Sequence, residues 1–236
     1  MYLVHCLVFI SLFQISTSEH KVQVRGCSVG SVLPRSFRLA IFAANVRCFP
    51  SSVRSRSLCV LLLLCGDISL NPDLIVMGVA NCRSVRNKAP MISDVVFNHS
   101  LDILSLVETH IHPMDTDCLL QSITQPSYKF CQRPRAYGSG GGVGFLINNS
   151  LSHRIVDHPD FTNFESLVVS IGSNAHAALV ACVYSPPGSC SNPFLDELYT
   201  LVEFLSCTNS SFIICGDFNI HIDTTSRDSV NFFNTC

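Results

Sequence analysis

Residues 74–236 predict an α/β fold in which two mixed sheets pack together with helices on their flanks. Short β-branched apolar runs recur along the segment. The runs are continuous rather than alternating, as expected of strands covered on both faces. Clear helical spacing is scarce between them, and strands with few intervening helices assemble as sheet on sheet. Taken in order, Leu74–Ala80 opens the segment as a strand, and Met91–Phe97 follows as a short helix. Leu101–Val107, Val143–Asn148, Ser166–Ile171, Ala178–Tyr184 and Ser211–Cys215 read as further buried strands. Between the last two, Phe194, Leu195, Leu198, Leu201, Val202 and Leu205 repeat at helical spacing over Asn192–Leu205, with Ser191 or Asn192 placed to cap the helix.

The composition narrows the classes further. Of the 236 residues, 47% are hydrophobic and 14% charged. That excludes a disordered polymer, which cannot gather enough apolar surface to offset chain entropy. The net charge of −2 supplies no overall basic field to attract nucleic acid. The charge is unevenly spread: residues 1–60 hold seven Lys and Arg against Glu19, and the rest holds eight basic and sixteen acidic residues. The 13 cysteines form no Cys-x-x-Cys pair and lie mostly in apolar runs, so they read as buried reduced thiols.

The N-terminal part reads as a different kind of segment. The apolar run at residues 2–13, followed by Ser16-Thr17-Ser18, is compatible with a signal peptide over 1–18. If it acts as one, the secretory pathway is open, and the triplets starting at Asn98, Asn148 and Asn209 become glycosylation acceptors. Residues 19–73 lack a sustained period and are expected to be a poorly ordered linker that packs little against the body. Leu58–Leu64 is too short to cross a bilayer, which takes roughly 20 residues, so no transmembrane span is expected.

Four constellations in the body carry chemistry. Asn81-Cys-Arg-Ser-Val-Arg-Asn87-Lys88 follows the first strand directly, where an amide can donate to a phosphate oxygen or serve as a helix cap. Leu106-Val107-Glu108-Thr109-His110-Ile111-His112-Pro113 ends an apolar strand in a carboxylate, which is costly unless paired or metal-bound. An oxygen ligand there suits Mg²⁺, whereas His110 and His112 alone make a poor zinc site. Tyr184 ends a strand before Ser185-Pro186-Pro187, and Gly216-Asp217-Phe218-Asn219 ends another in an acid and an amide. Acids and amides gathered at the carboxyl ends of core strands are the arrangement an active site needs.

Two resemblances extend this reading. Leu61 to Leu74, containing Asp67, Asn71-Pro72 and Asp73, resembles the 2A-like ribosome-skipping peptides that end in Asp-x-Glu-x-Asn-Pro-Gly-Pro. Here Ser69, Asp73 and Leu74 replace the family's Glu, Gly and final Pro, which implies a degenerate copy. From Asn81 to Asn219 the chain resembles the endonuclease/exonuclease/phosphatase (DNase I-like) superfamily. Within it, the chain is similar to the apurinic-type endonuclease domain of non-LTR retrotransposons. The resemblance rests on Asn81-x-Arg-Ser-x-x-Asn-Lys, Glu108-Thr-x-x-x-Pro, Gly140-Gly-Gly-Val-Gly, Glu165-Ser-Leu, Tyr184-x-Pro-Pro and Gly216-Asp217-Phe-Asn219, all in the family's order.

The resemblance implies Mg²⁺-assisted phosphodiester hydrolysis with DNA as the partner. Glu108 would hold the metal, and Asp217 would orient and deprotonate the attacking water. Asn219 would position that water or the phosphate, and Asn81 and Tyr184 would hydrogen-bond phosphate oxygens. Glu165 would support the site from beside it. Arg83 stands where many relatives carry an acid, as is common in the retrotransposon branch. Gly138–Gly144 would lead into a core strand; with no Gly-Lys-Ser/Thr after it, it is not a phosphate loop. The family also uses a later Asp and a Ser-Asp-His triplet that these residues do not contain. The expectation is therefore an incomplete four-layer α/β sandwich from a C-terminally truncated, inactive endonuclease domain of nuclear ancestry, without a protein partner. A secreted or otherwise non-catalytic binding module on the same fold is the competing expectation.

Overall fold

A computed structural model describes strand segments 5–7, 40–46 and 58–65, and residues 75–219 apart from 116–120, 125, 136–139, 174–176, 189–190 and 210. The rest of the candidate signal peptide, the Asp67–Leu74 ending of the 2A-like peptide and most of the linker lie outside the described residues. The chain divides into two compact units, one formed by residues 36–150 and the other by residues 1–35 with 151–236.

The unit of residues 36–150 holds a mixed six-stranded sheet. In chain order its strands are β2 (Ala40–Val46), β3 (Leu58–Cys65), β4 (Ile75–Asn81), β5 (Ile103–Val107), β6 (Tyr128–Arg133) and β7 (Val143–Asn148), with spatial order β2-β3-β4-β5-β7-β6. Only β4 and β5 run parallel, in register Met77 to Ile103 through Asn81 to Val107. The crossover between them is helix α1 (Ala89–Asn98), with Pro90 in its first turn. Proline fits there because the first helical amides have no partner to lose. Ile92, Val95 and Val96 of α1 pack with Ala80, Leu104, Leu106 and Leu146. The alternate residues Val79, Ile103, Val107, Phe145 and Ile147 are buried too, so the central strands are covered on both faces.

The other unit holds a five-stranded mixed sheet in the order β1-β11-β10-β9-β8. Its strands are β1 (His5–Leu7), β8 (His153–Val156), β9 (Glu165–Ile171), β10 (Ala178–Tyr184) and β11 (Phe212–Asp217). Helix α2 (Asn192–Thr208) connects the parallel pair β10 and β11. Ser191 caps it, its hydroxyl accepting the Phe194 amide at 3.5 Å, as the sequence suggested. Phe194, Leu195, Leu198, Leu201 and Leu205 form the helix's buried stripe against Val168, Leu179, Ala181, Val183, Phe212 and Ile214. Each unit is thus a sheet with its own helix and its own apolar cluster.

Five strands go beyond those expected. β6 and β8 lie at sheet edges and carry Lys129, Gln132, Arg133, His153 and Arg154, so their apolar signal is diluted in the way edge strands require. β2 and β3 fall within the segment read as linker, and β3 continues the sheet antiparallel to β4, from Cys65 opposite Ile75 to Cys59 opposite Asn81. β1 falls within the N-terminal apolar run and pairs parallel to β11. Among the described residues, no helix is long and apolar enough to cross a membrane. Cys82, Cys131, Cys182 and Cys215 are buried, and burial pushes the Cys131 thiol up.

Candidate functional site

The parallel pairing of β4 and β5 sets Asn81 level with Val107, so the loops leaving both strands begin side by side. The pairing continues past the strand ends. The amides of Cys82, Ser84 and Val85 donate to the carbonyls of Val107, Glu108 and Thr109 at 3.0, 2.7 and 3.0 Å. On the other side, the amides of Thr109 and His110 donate to the carbonyls of Gly142 and Gly141 at 3.1 and 2.8 Å. Glu108 and His110 are therefore clamped between two neighbouring segments while both adopt left-handed backbone, with φ of 54° and 51°. Non-glycine residues persist there only where the surroundings over-determine them, and such strain gathers at functional sites.

The side chains complete this cluster. Asn81 Nδ2 donates to Glu108 Oε1 at 2.6 Å, and Asn81 Oδ1 accepts the Arg83 amide at 3.2 Å. Glu108 Oε2 faces His110 Nε2 at 3.7 Å. Lys88 is buried, and its ammonium donates to the Cys82 carbonyl earlier in the same loop. The Arg86 guanidinium pairs with Asp115 and ties the loop after β4 to the loop after β5. The His112 amide, at 2.7 Å, and Arg86 together hold the Asp115 carboxyl below its usual range against the opposing effect of burial. His112 Nδ1 accepts the Met114 amide at 3.2 Å, so the two histidines have different surroundings.

In the other unit, register alone makes Tyr184 the neighbour of Asp217 on one side and of Glu165 on the other. Tyr184 and Asp217 are 6% and 2% exposed. Asp217 Oδ1 accepts the Asn219 amide at 3.1 Å, and Asn219 Nδ2 donates to the Ser185 carbonyl at 2.7 Å. The Ser185 amide in turn donates to the Asp217 carbonyl at 2.9 Å. Asn219 is left-handed, with φ of 49°, a conformation asparagine tolerates better than most residues. Gly216 makes the approach possible: a Cβ there would meet the Val183 carbonyl oxygen at 1.8 Å. The glycine thus lets β11 lie close to β10 one residue before the acid.

The profile of the endonuclease/exonuclease/phosphatase family matches residues 45–233. The chain belongs to this family. No curated protein matches the sequence significantly. Among solved structures, the endonuclease domain of TRAS1, a telomere-specific non-LTR retrotransposon, is 14% identical, with 66% of this chain and 68% of that one covered at a TM-score of 0.48. The AP endonuclease LMAP from Leishmania major is 16% identical over 63% of this chain and 60% of that one, with a TM-score of 0.46. TDP2 from D. rerio complexed with a single-strand DNA product is 13% identical over 61% of this chain, with a TM-score of 0.44. This chain spans 56% of that protein's length.

The endonuclease/exonuclease/phosphatase family motifs therefore fall into two groups. The structure brings Asn81 together with Glu108, and Tyr184 together with Glu165, Asp217 and Asn219; the two groups belong to different compact units. Inspection of the sequence missed the parts played by Lys88, His110 and Ser185. Lys88 stands in the motif itself, but only tertiary structure turns its ammonium onto a loop carbonyl. The glycine run behaves as expected: Gly140, Gly141 and Gly142 have φ of 81°, 62° and 86° and lead directly into β7. Among the described residues, no three His, Cys, Asp or Glu side chains cluster. A cation held by Glu108 would accordingly fill much of its coordination with water or substrate oxygen, as Mg²⁺ commonly does.

Proposed function

We propose that this chain carries the metal-binding and water-activating parts of a divalent-metal-dependent DNA endonuclease domain of the non-LTR retrotransposon branch. The observation that carries the reading is the 2.6 Å bond between Asn81 and Glu108 at the ends of two parallel strands, on backbone held left-handed at Glu108. The motif order from Asn81 to Asn219 supports the branch, and the family match supports the nuclease class.

Glu108 fits a hard divalent cation. One oxygen is oriented by an amide donor, and the side chain keeps 19% of its exposure. Bound there, the metal supplies Lewis-acid polarisation of the phosphoryl oxygen and neutralises charge on the leaving oxygen. Asn81 fixes the carboxylate and offers its amide to a phosphate oxygen. Asp217, oriented by the Asn219 amide, accepts the proton of the attacking water. Asn219, anchored to Ser185, positions that water, and the Tyr184 hydroxyl donates to a non-bridging oxygen as charge develops. Glu165 supports Tyr184 from the adjacent strand.

We infer that turnover of DNA requires a Ser-Asp-His triplet, which residues 1–236 do not contain. Nicking of supercoiled DNA tests the assignment. With Mg²⁺, residues 1–236 alone stay at background, and nicking appears in a polypeptide extended through a Ser-Asp-His segment. Combining Glu108→Ala with Asp217→Ala abolishes it. Nicking by residues 1–236 that this double substitution removes overturns the inactive reading. Nicking by the extended chain that survives the substitution overturns the residue assignment.

A further inference from the structure

Glu108 and His110 pose a specific question. Both residues spend backbone strain to present their side chains, and the side chains end 3.7 Å apart, Oε2 to Nε2. That is too long for a hydrogen bond. Glu108 is oriented by Asn81 at its other oxygen, and the His110 backbone is anchored by its amide on Gly141. Gly140 lies against the ring, where an added Cβ would stand 3.5 Å from Nε2. The pair is a held gap with an oxygen on one side and a nitrogen on the other.

We propose that Glu108 Oε2 and His110 Nε2 are joint ligands of one first-row divalent cation, making His110 a nitrogen ligand in the metal site proposed above, on which this inference rests. The 3.7 Å gap is within reach of one cation, because two metal–ligand bonds of about 2.1 Å span at most about 4.2 Å. His112 is not the nitrogen donor, because its Nδ1 is engaged by the Met114 amide within its own turn. An imidazole beside a carboxylate shifts preference from Mg²⁺ toward borderline ions, for which nitrogen is the better ligand. The ring then carries its proton on Nδ1 and leaves the Nε2 lone pair for the cation.

Mn²⁺ is the probe, because thiols compete poorly for it and the chain is rich in cysteine. Pulsed electron paramagnetic resonance of Mn²⁺ bound to residues 1–236 should show nitrogen-14 modulation from a directly bound imidazole. His110→Gln should remove that modulation and weaken Mn²⁺ binding about tenfold, while Mg²⁺ affinity changes less than about twofold. Glu108→Gln should remove binding of both ions. Absent modulation in the wild-type protein, or modulation that survives His110→Gln, overturns the inference. So does tighter binding of both ions by His110→Gln, the result expected if the imidazole acts only as a competing cation. Binding that survives Glu108→Gln defeats the underlying site assignment instead, so the two failures are distinguishable.

Discussion

Asn81 and Glu108, 27 residues apart in sequence, meet at 2.6 Å because β4 and β5 are parallel neighbours that end together. The crossover through α1 returns the chain to the same end of the sheet, so two apolar strands deliver an amide and a carboxylate side by side. Removing the donor leaves a partly buried carboxylate oxygen without it. Asn81→Ala should cost about 1–2 kcal/mol in urea unfolding at pH 7. Asn81→Asp should cost more, since it sets two carboxylates against each other. Equal losses at pH 7 would show that charge is not what this contact manages.

Gly216 should tolerate no side chain. Its φ of 144° and the 1.8 Å approach of the Val183 carbonyl oxygen to an added Cβ leave no room between β10 and β11. Gly216→Ala should destabilise the chain by about 3 kcal/mol or more, and its amide-exchange protection should fall first around Tyr184 and Asp217. A loss under about 1 kcal/mol would mean that the strands part easily there.

Glu197 on α2 clamps the loop before β9. Its carboxylate accepts the Thr162 amide at 3.0 Å, the Thr162 hydroxyl at 2.7 Å and the Asn163 amide at 2.9 Å. Burial pushes its carboxyl up, but these bonds outweigh burial and hold it below the usual glutamate range. A depressed carboxyl stabilises the fold above its unfolded value and loses that contribution as pH falls through the folded one. Glu197→Gln should therefore be less stable than wild type at pH 7, by about 1 kcal/mol for a solvent-screened carboxylate. The two should converge below the folded value, and a constant difference between pH 7 and pH 3 would contradict the clamp.

The strands that end in Asn81, Glu108, Tyr184 and Asp217 were legible because they are continuous apolar runs, and α2 because Ser191 and five buried apolar residues mark it. β6 and β8 escaped notice because edge strands carry polar residues on purpose. The conformations of Arg83, Ser84, Glu108 and His110, with φ from 41° to 84°, leave no trace in residue type. They follow from loops zipped to one another across the sheet, which only the pairing of β4, β5 and β7 creates. The same holds for His110: as one of two histidines flanking Ile111 it was indistinguishable from His112 until the turn engaged one ring and released the other.

The central claim is that the Asn81–Glu108 pair holds the divalent cation of the proposed phosphodiester site. Paramagnetic broadening by Mn²⁺ in the isotopically labelled protein measures this most directly. The amide signals of residues 81–84 and 108–110 should vanish at substoichiometric Mn²⁺, and Glu108→Gln should restore them. Broadening that spares residues 81–84 and 108–110, or that survives Glu108→Gln, would contradict the account.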